Sequence, residues 1–237
     1  MQEKQASPVC VVIGIGAGNG VAFARRFAAA GYTLALVSRQ TSSCAELQKS
    51  LPRAHAFPCD VTDADAVAKT FANITQALGT PDVVIYNAGR SAWGSIDKVT
   101  PAEFEAAWRL NAMGLFLVAQ AISSQMQARG SGSLIVVGAT ASRRGSAGMA
   151  AFASAKSAQR ILAESLARHL GPTGIHVALM IVDGVVAESE VSKLFSDRPA
   201  DCFIRPEAVA ETAYQLSQQH QSAWSFEVEL RPFNEKW

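Results

Sequence analysis

Gly14-Ile15-Gly16-Ala17-Gly18-Asn19-Gly20 joins an apolar run, Val9–Ile13, to a stretch of helical character over residues 21–30. Glycines at such a corner permit a tight turn and let backbone approach a bound group closely. The helix that follows presents unpaired N–H groups at the positive end of its dipole. Alone, such a turn is also what a merely tight corner would use; strand, glycine corner and helix in that order predict a phosphate-binding turn. Asn19 breaks the common G-x-G-x-x-G spacing. The spacing present is G-x-x-x-G-x-G, through Gly14, Gly18 and Gly20.

The same alternation continues outward from this corner. Apolar runs over residues 33–37, 55–57, 82–86, 134–137, 177–182 and 226–230 predict strands. Helical patterns fall at residues 45–50, 63–78, 149–170 and 207–219, and from 101 to about 127 with a break near Gly114. Thr100-Pro101-Ala102-Glu103 reads as a helix start, with Thr100 as cap and Glu103 closing a capping box. Gly171-Pro172 is a stop signal. Most strand runs are continuously apolar rather than alternating, as a parallel sheet covered on both faces requires. Seven strands alternating with helices predict an α/β, Rossmann-like, doubly wound parallel sheet in one domain spanning residues 1–237.

Composition narrows the classes. The chain is 49 % hydrophobic and 17 % charged, enough to bury a core, and its net charge of +1 offers no bulk attraction to nucleic acid or an anionic membrane. Cys10, Cys44, Cys59 and Cys202 form no C-x-x-C pair, and the four histidines lack metal-ligand spacing, so reduced thiols and no metal are expected. Met1-Gln2-Glu3-Lys4 is polar and there is no long apolar span, which predicts a cytoplasmic protein.

Cofactor choice is read at the end of the second strand. An NAD site places an acid there to hold the ribose 2′-hydroxyl. This chain has Ser38-Arg39-Gln40, and its first acid after the glycine turn is Glu46. Ser38 and Arg39 suit a 2′-phosphate, which points to NADP(H).

With these residues in hand, the chain resembles a short-chain dehydrogenase/reductase over nearly its whole length. The landmarks come in the family's order: the glycine turn, Cys59-Asp60-Val61, Asn87-Ala88-Gly89, Asn111 in the long helix, and Lys156. The resemblance implies that Asp60 hydrogen-bonds the adenine, that Val61 flanks it, and that Asn87, Ala88 and Gly89 support the sheet beside the cofactor. It also implies that Lys156 holds the nicotinamide ribose, that Gly184 and Val186 contact the cofactor, and that Asn111 and Lys156 are the catalytic candidates. Trp93 and residues 185–205 are expected to line a substrate pocket. The helical stretches at residues 112–121 and 152–166 are rich in small and apolar residues, which suits the family's homodimer or homotetramer contact.

The departures from the family concern proton donation. Phe152 stands in the place of the family's active-site Tyr, four residues before Lys156, and Ala139 in the place of its Ser. Asp183-Gly184 replaces a Pro-Gly, and Glu188 replaces a Thr. Thr140, Ser142, Asp183, Glu188 and Lys156 are the groups available to substitute. Ser154 is expected to point away, because two residues is about 200° of helix. Two readings stand: an NADP(H)-dependent oxidoreductase with a non-standard proton source, weak on ordinary ketones and alcohols, or an inactive NADP(H)-binding sensor or assembly protein.

Overall fold

A computed structural model of the chain describes residues 7–40, 42–90, 92–195 and 197–234. The polar start Met1-Gln2-Glu3-Lys4 lies outside them. The elements begin with β1 (Val9–Ile13), α1 (Asn19–Ala29), β2 (Thr33–Ser38), α2 (Ser42–Ser50), β3 (Ala54–Pro58), α3 (Ala64–Leu78) and β4 (Val83–Tyr86). There follow α4 (Pro101–Trp108), a π-helical turn (Arg109–Met113), α5 (Gly114–Arg129), β5 (Gly132–Ala139), α6 (Ala150–Leu170) and β6 (Ile175–Val182). The chain ends with β7 (Val185–Val186), β8 (Phe203–Ile204), α7 (Pro206–Ser217) and β9 (Glu227–Leu230).

Seven strands form one sheet in the order β3-β2-β1-β4-β5-β6-β9, and β7 pairs with β8 in a separate two-stranded ribbon. Every pairing in the large sheet is parallel. Both faces are covered, which explains the continuously apolar strands. In β1, Cys10 and Val12 face a core shared with Phe23 of α1 and Val209 of α7. Val11 and Ile13 face the opposite core, with Phe71 of α3, Leu115 of α5 and Ala163 of α6.

Element boundaries differ from the sequence expectation by a few residues, and in two places the difference has a cause. The helix expected from residue 21 begins at Asn19, because the glycine corner already has helical backbone there. The single helix expected from 101 to about 127 is three pieces. The Thr100 capping box forms, with Thr100 Oγ1 accepting from Glu103 N–H at 3.2 Å. The π-helical turn then precedes Gly114. Such a turn leaves backbone carbonyls without their usual helical donors. The Tyr86 hydroxyl donates to the Leu110 carbonyl at 2.5 Å, and the Gln159 amide to the Asn111 carbonyl at 3.0 Å. Gly114 is small because Tyr86 Oη and the Val61 backbone press on it.

The strand order reverses between β1 and β4, which opens a crevice at their carboxyl ends. There the packing is backbone against backbone. A Cβ on Gly20 would lie 2.5 Å from the Gly14 carbonyl oxygen. Gly20→Ala is therefore expected to cost about 1–3 kcal/mol through overpacking, read as a lower urea midpoint. An unchanged midpoint would mean that this corner relaxes freely.

Candidate functional site

The crevice is built from the glycine corner upward. Gly14 has φ +90°, and a Cβ there would stand 2.7 Å from the Ala88 nitrogen, so only glycine fits. Asn87, one residue past β4, donates from Nδ2 to the Gly14 carbonyl at 2.7 Å. Gly18 is the N-cap of α1; no side chain caps the helix there and its first turn carries no acid. The positive end of α1 thus points into the crevice without a carboxylate of its own first turn to answer it. Asn19 Oδ1 is buried and without a hydrogen-bond partner.

One side of the crevice is a cleft of about 230 Å³ that brings Gly14, Ser38, Arg39, Val61, Asn87 and Gly89 together. Arg39 is mostly exposed, with its guanidinium 4.0 Å from the Asp60 carboxylate. Asp60 turns Oδ1 to Thr62, accepting from its N–H at 2.9 Å and its hydroxyl at 2.8 Å. Partial burial opposes the Asp60 charge, but the Thr62 bonds and Arg39 outweigh it and hold the carboxyl below its usual range.

The other side is a cavity of about 530 Å³ between the glycine corner, the end of β5, α6 and residues 184–191. Trp93, Ala139, Phe152 and Lys156 line it. Gly18 packs close to Val186 and the Ala187 carbonyl, which ties the corner to the segment after β6. Gly184 is crowded by Pro232. Lys156 is buried, and its Nζ donates to the Val137 carbonyl and to Gln159 Oε1, both at 2.9 Å. Burial pushes the Lys156 ammonium down to about 7, so at neutral pH it holds and releases its proton with similar ease. Asn111 is fully buried; its Nδ2 donates to the Ala107 carbonyl at 2.9 Å, while its Oδ1 has no partner.

The remaining hydroxyls near this cavity are committed elsewhere. Thr140 donates to the Asp183 carboxylate. Ser142 is buried and accepts from Ala139 N–H at 3.1 Å. Ser154 is exposed and donates back to the Ala150 carbonyl at 2.6 Å, facing away as its spacing predicts. Asp183 is 5 % exposed and is shared between Arg231 and Arg144. Burial opposes its charge, but Thr140, Arg231 and Arg144 prevail and keep the carboxyl below its usual range. It stays ionised and has no proton to give at neutral pH. Glu188 lines the cavity with an exposed side chain and a left-handed backbone at φ 60°. The three tyrosines lie elsewhere: Tyr86 is buried under the π-helical turn, and Tyr32 and Tyr214 pack on Phe27.

Sequence reasoning missed Gln159, Arg144 and Arg231. Gln159 carried one usable signal: a polar residue one turn past Lys156, on the same helical face. The arginine pairing with Asp183 joins positions up to 48 apart in the chain and left no local pattern.

Among the described residues no helix is long and apolar enough to cross a membrane, and no cluster of side chains has the makings of a metal site. The chain is 30 % identical to the 3-oxoacyl-[acyl-carrier-protein] reductase MabA of Mycobacterium tuberculosis over 188 residues, 79 % of this chain and 72 % of that one. The crystal structure of a short-chain dehydrogenase from Rhodopseudomonas palustris superposes with a TM-score of 0.82 at 34 % identity, covering 97 % of this chain and 100 % of that one. A metagenomic short-chain oxidoreductase in complex with NADP gives 0.83 at 25 % identity, covering 97 % and 99 %. The family described as short chain dehydrogenase matches residues 8–200. With its parallel sheet, its glycine corner at the switch point and this match over most of its length, the chain belongs to the short-chain dehydrogenase family.

Proposed function

We propose that residues 1–237 form one NADP(H)-binding domain and that the chain is an oxidoreductase with a non-standard active site. The observation that carries this is the pairing of an intact cofactor crevice with a cavity wall made of Phe152 and Ala139. The residues suit the cofactor. The uncapped start of α1, reached through Gly14, Gly18, Asn19 and Gly20, suits a pyrophosphate. Ser38 and Arg39 suit a 2′-phosphate. Asp60, Val61, Ala88 and Gly89 flank the adenosine side. The unpartnered Oδ1 atoms of Asn19 and Asn111 are buried acceptors in want of a donor. Gly184 and Val186 bound the nicotinamide side. The NADP complex of the metagenomic relative supports the same choice.

When bound, the nicotinamide supplies or accepts a hydride. This chain's residues then have to hold the substrate oxygen and move one proton. Phe152 has no proton and Ala139 no hydroxyl. Losing a general acid removes roughly 10²–10⁴-fold of rate, and losing an oxyanion donor roughly 10²–10³-fold. Lys156, buried and near neutrality, is the group in the cavity best suited to proton transfer, with Asn111 beside it. The enzyme is accordingly weak on ordinary ketones and alcohols. A second reading, an NADP(H)-binding protein without turnover, draws support from the commitment of Thr140, Ser142, Ser154 and Asp183 to internal partners.

NADPH is expected to bind roughly ten- to a hundred-fold more tightly than NADH, through a charge-assisted contact from Arg39. Fluorescence titration checks this, and equal affinities, or an Arg39→Ala variant with unchanged NADPH affinity, would refute it.

Chemistry is tested by restoring the two donors. Ala139→Ser with Phe152→Tyr is expected to raise NADPH oxidation on a ketone panel above wild type. Brisk wild-type ketone reduction that survives Lys156→Met would overturn the reading. NADPH binding with no turnover on carbonyls, quinones or enones would select the non-catalytic alternative.

Assembly follows from exposed apolar side chains on the helices beside the site. Phe104 and Trp108 of α4, Phe116 of α5 and Ile161 of α6 are 39–58 % exposed, an arrangement suited to a symmetric contact. Light scattering is expected to give two or four times the 25.1 kDa chain mass, and Trp108→Glu with Ile161→Glu to reduce it. A lone 25.1 kDa species of wild type at micromolar concentration would contradict this.

A further inference from the structure

Gln159 has no exposed surface. Burying an amide is unfavourable unless both of its ends find partners. Both do: Nε2 donates to the Asn111 carbonyl at 3.0 Å, and Oε1 accepts from Lys156 Nζ at 2.9 Å. The side chain is therefore a rigid strut between the π-helical turn and the lysine one turn before it on α6. Leucine or methionine would supply comparable bulk, so packing alone does not call for a polar group here.

A lysine ammonium has three N–H bonds. The Val137 carbonyl and Gln159 Oε1 take two of them. The head of the side chain lies against Gly89, where a Cβ would come within 3.4 Å of Nζ and 3.2 Å of Asn111 Oδ1. Lys156 and Gly89 line the large cavity, so the third N–H is left for that side, while the unpartnered Asn111 oxygen lies buried behind Gly89. A peptide carbonyl and a side-chain amide accept hydrogen bonds but take up no proton near neutral pH, so neither passes a proton onward.

We propose that Gln159 is a positioning residue for Lys156: pinned by the Asn111 carbonyl, its amide holds the lysine so that protons leave and return only on the cavity side. This rests on the reading of Lys156 as the proton-handling group. The charged side chains sharing the cavity are Arg144, Asp183, Glu188 and Glu190. Asp183 is held by two arginines and Glu190 pairs with Lys193. On the flanking helices, Arg160 pairs with Glu227 and Arg109 with Glu105. Lys156 owes its low position to burial, which leaves the two accepted hydrogen bonds as the local support for its charged form.

The test uses cofactor-free protein labelled with ¹³C at the lysine Cε, the Lys156 resonance being identified by its loss in Lys156→Met. Wild type is expected to titrate near 7. Gln159→Met and Gln159→Leu remove one acceptor from the buried ammonium, so the midpoint falls, by about one to two pH units. Melting curves establish that each variant is folded. A folded variant of either kind with an unchanged midpoint overturns the proposal. So does loss of fold in both, because Gln159 would then be a folding residue only. Whether NADPH binds is measured separately by fluorescence, so failure of the cofactor reading is distinguishable from failure of this one.

Discussion

Seven strands running in one direction impose the main constraint on this molecule. Parallel neighbours cannot be joined by short hairpins, so each connection must cross a face of the sheet and return. All carboxyl ends then lie along one edge. Because the strand order reverses between β1 and β4, the residues following those two strands share the gap there. The Asn87 bond to the Gly14 carbonyl closes the bottom of that gap. Gly20 presses on the same carbonyl from the α1 side. α6 then crosses behind β5, and Lys156 reaches the Val137 carbonyl near the end of that strand.

How much of this was legible in the sequence depended on how local its cause was. The sheet was readable because each strand is covered on both sides and so is apolar at every position. The glycine corner was readable because close backbone approach excludes a Cβ at Gly14 and Gly20. The break in the helix after Thr100 was visible at Gly114, but the π-helical turn was not. Its stray carbonyls are caught by Tyr86, 24 residues earlier, and Gln159, 48 residues later. The ribbon of β7 and β8 is two residues on each side, too short to leave a period. For the candidate site, the sequence named the positions but not their partners. Thr140 and Asp183 looked like free substitutes until the structure joined them to each other.

Two ionisable groups bordering the large cavity have been driven opposite ways. Asp183 is buried with two guanidiniums against it, so its charge is over-compensated and fixed. Lys156 is buried with only neutral acceptors, so its charge is marginal. Burial penalises both; the neighbours decide the outcome. A carboxylate held like Asp183 shapes the wall, whereas an amine held like Lys156 can change state during a reaction. This contrast separates a structural ion pair from a chemical group more sharply than position in the cavity does.

The π-helical turn also fixes where this chain can change in length. The turn holds one residue more than a regular helix would use at that point. Deleting one of residues 109–113 would let the ordinary pattern run through and leave the later positions of α5 on nearly the same faces, because the turn already absorbs the extra residue. Leu115, Val118, Ile122 and Met126 would stay in the core, but the Leu110 and Asn111 carbonyls would return to helical donors, and Tyr86 and Gln159 would lose their partners. A residue added within regular α5 would instead turn every later position by about 100°. Between Pro101 and Arg129 the turn is therefore the point where one residue can be lost with the buried face of α5 kept, at the cost of the hydrogen bonds that anchor it to β4 and α6.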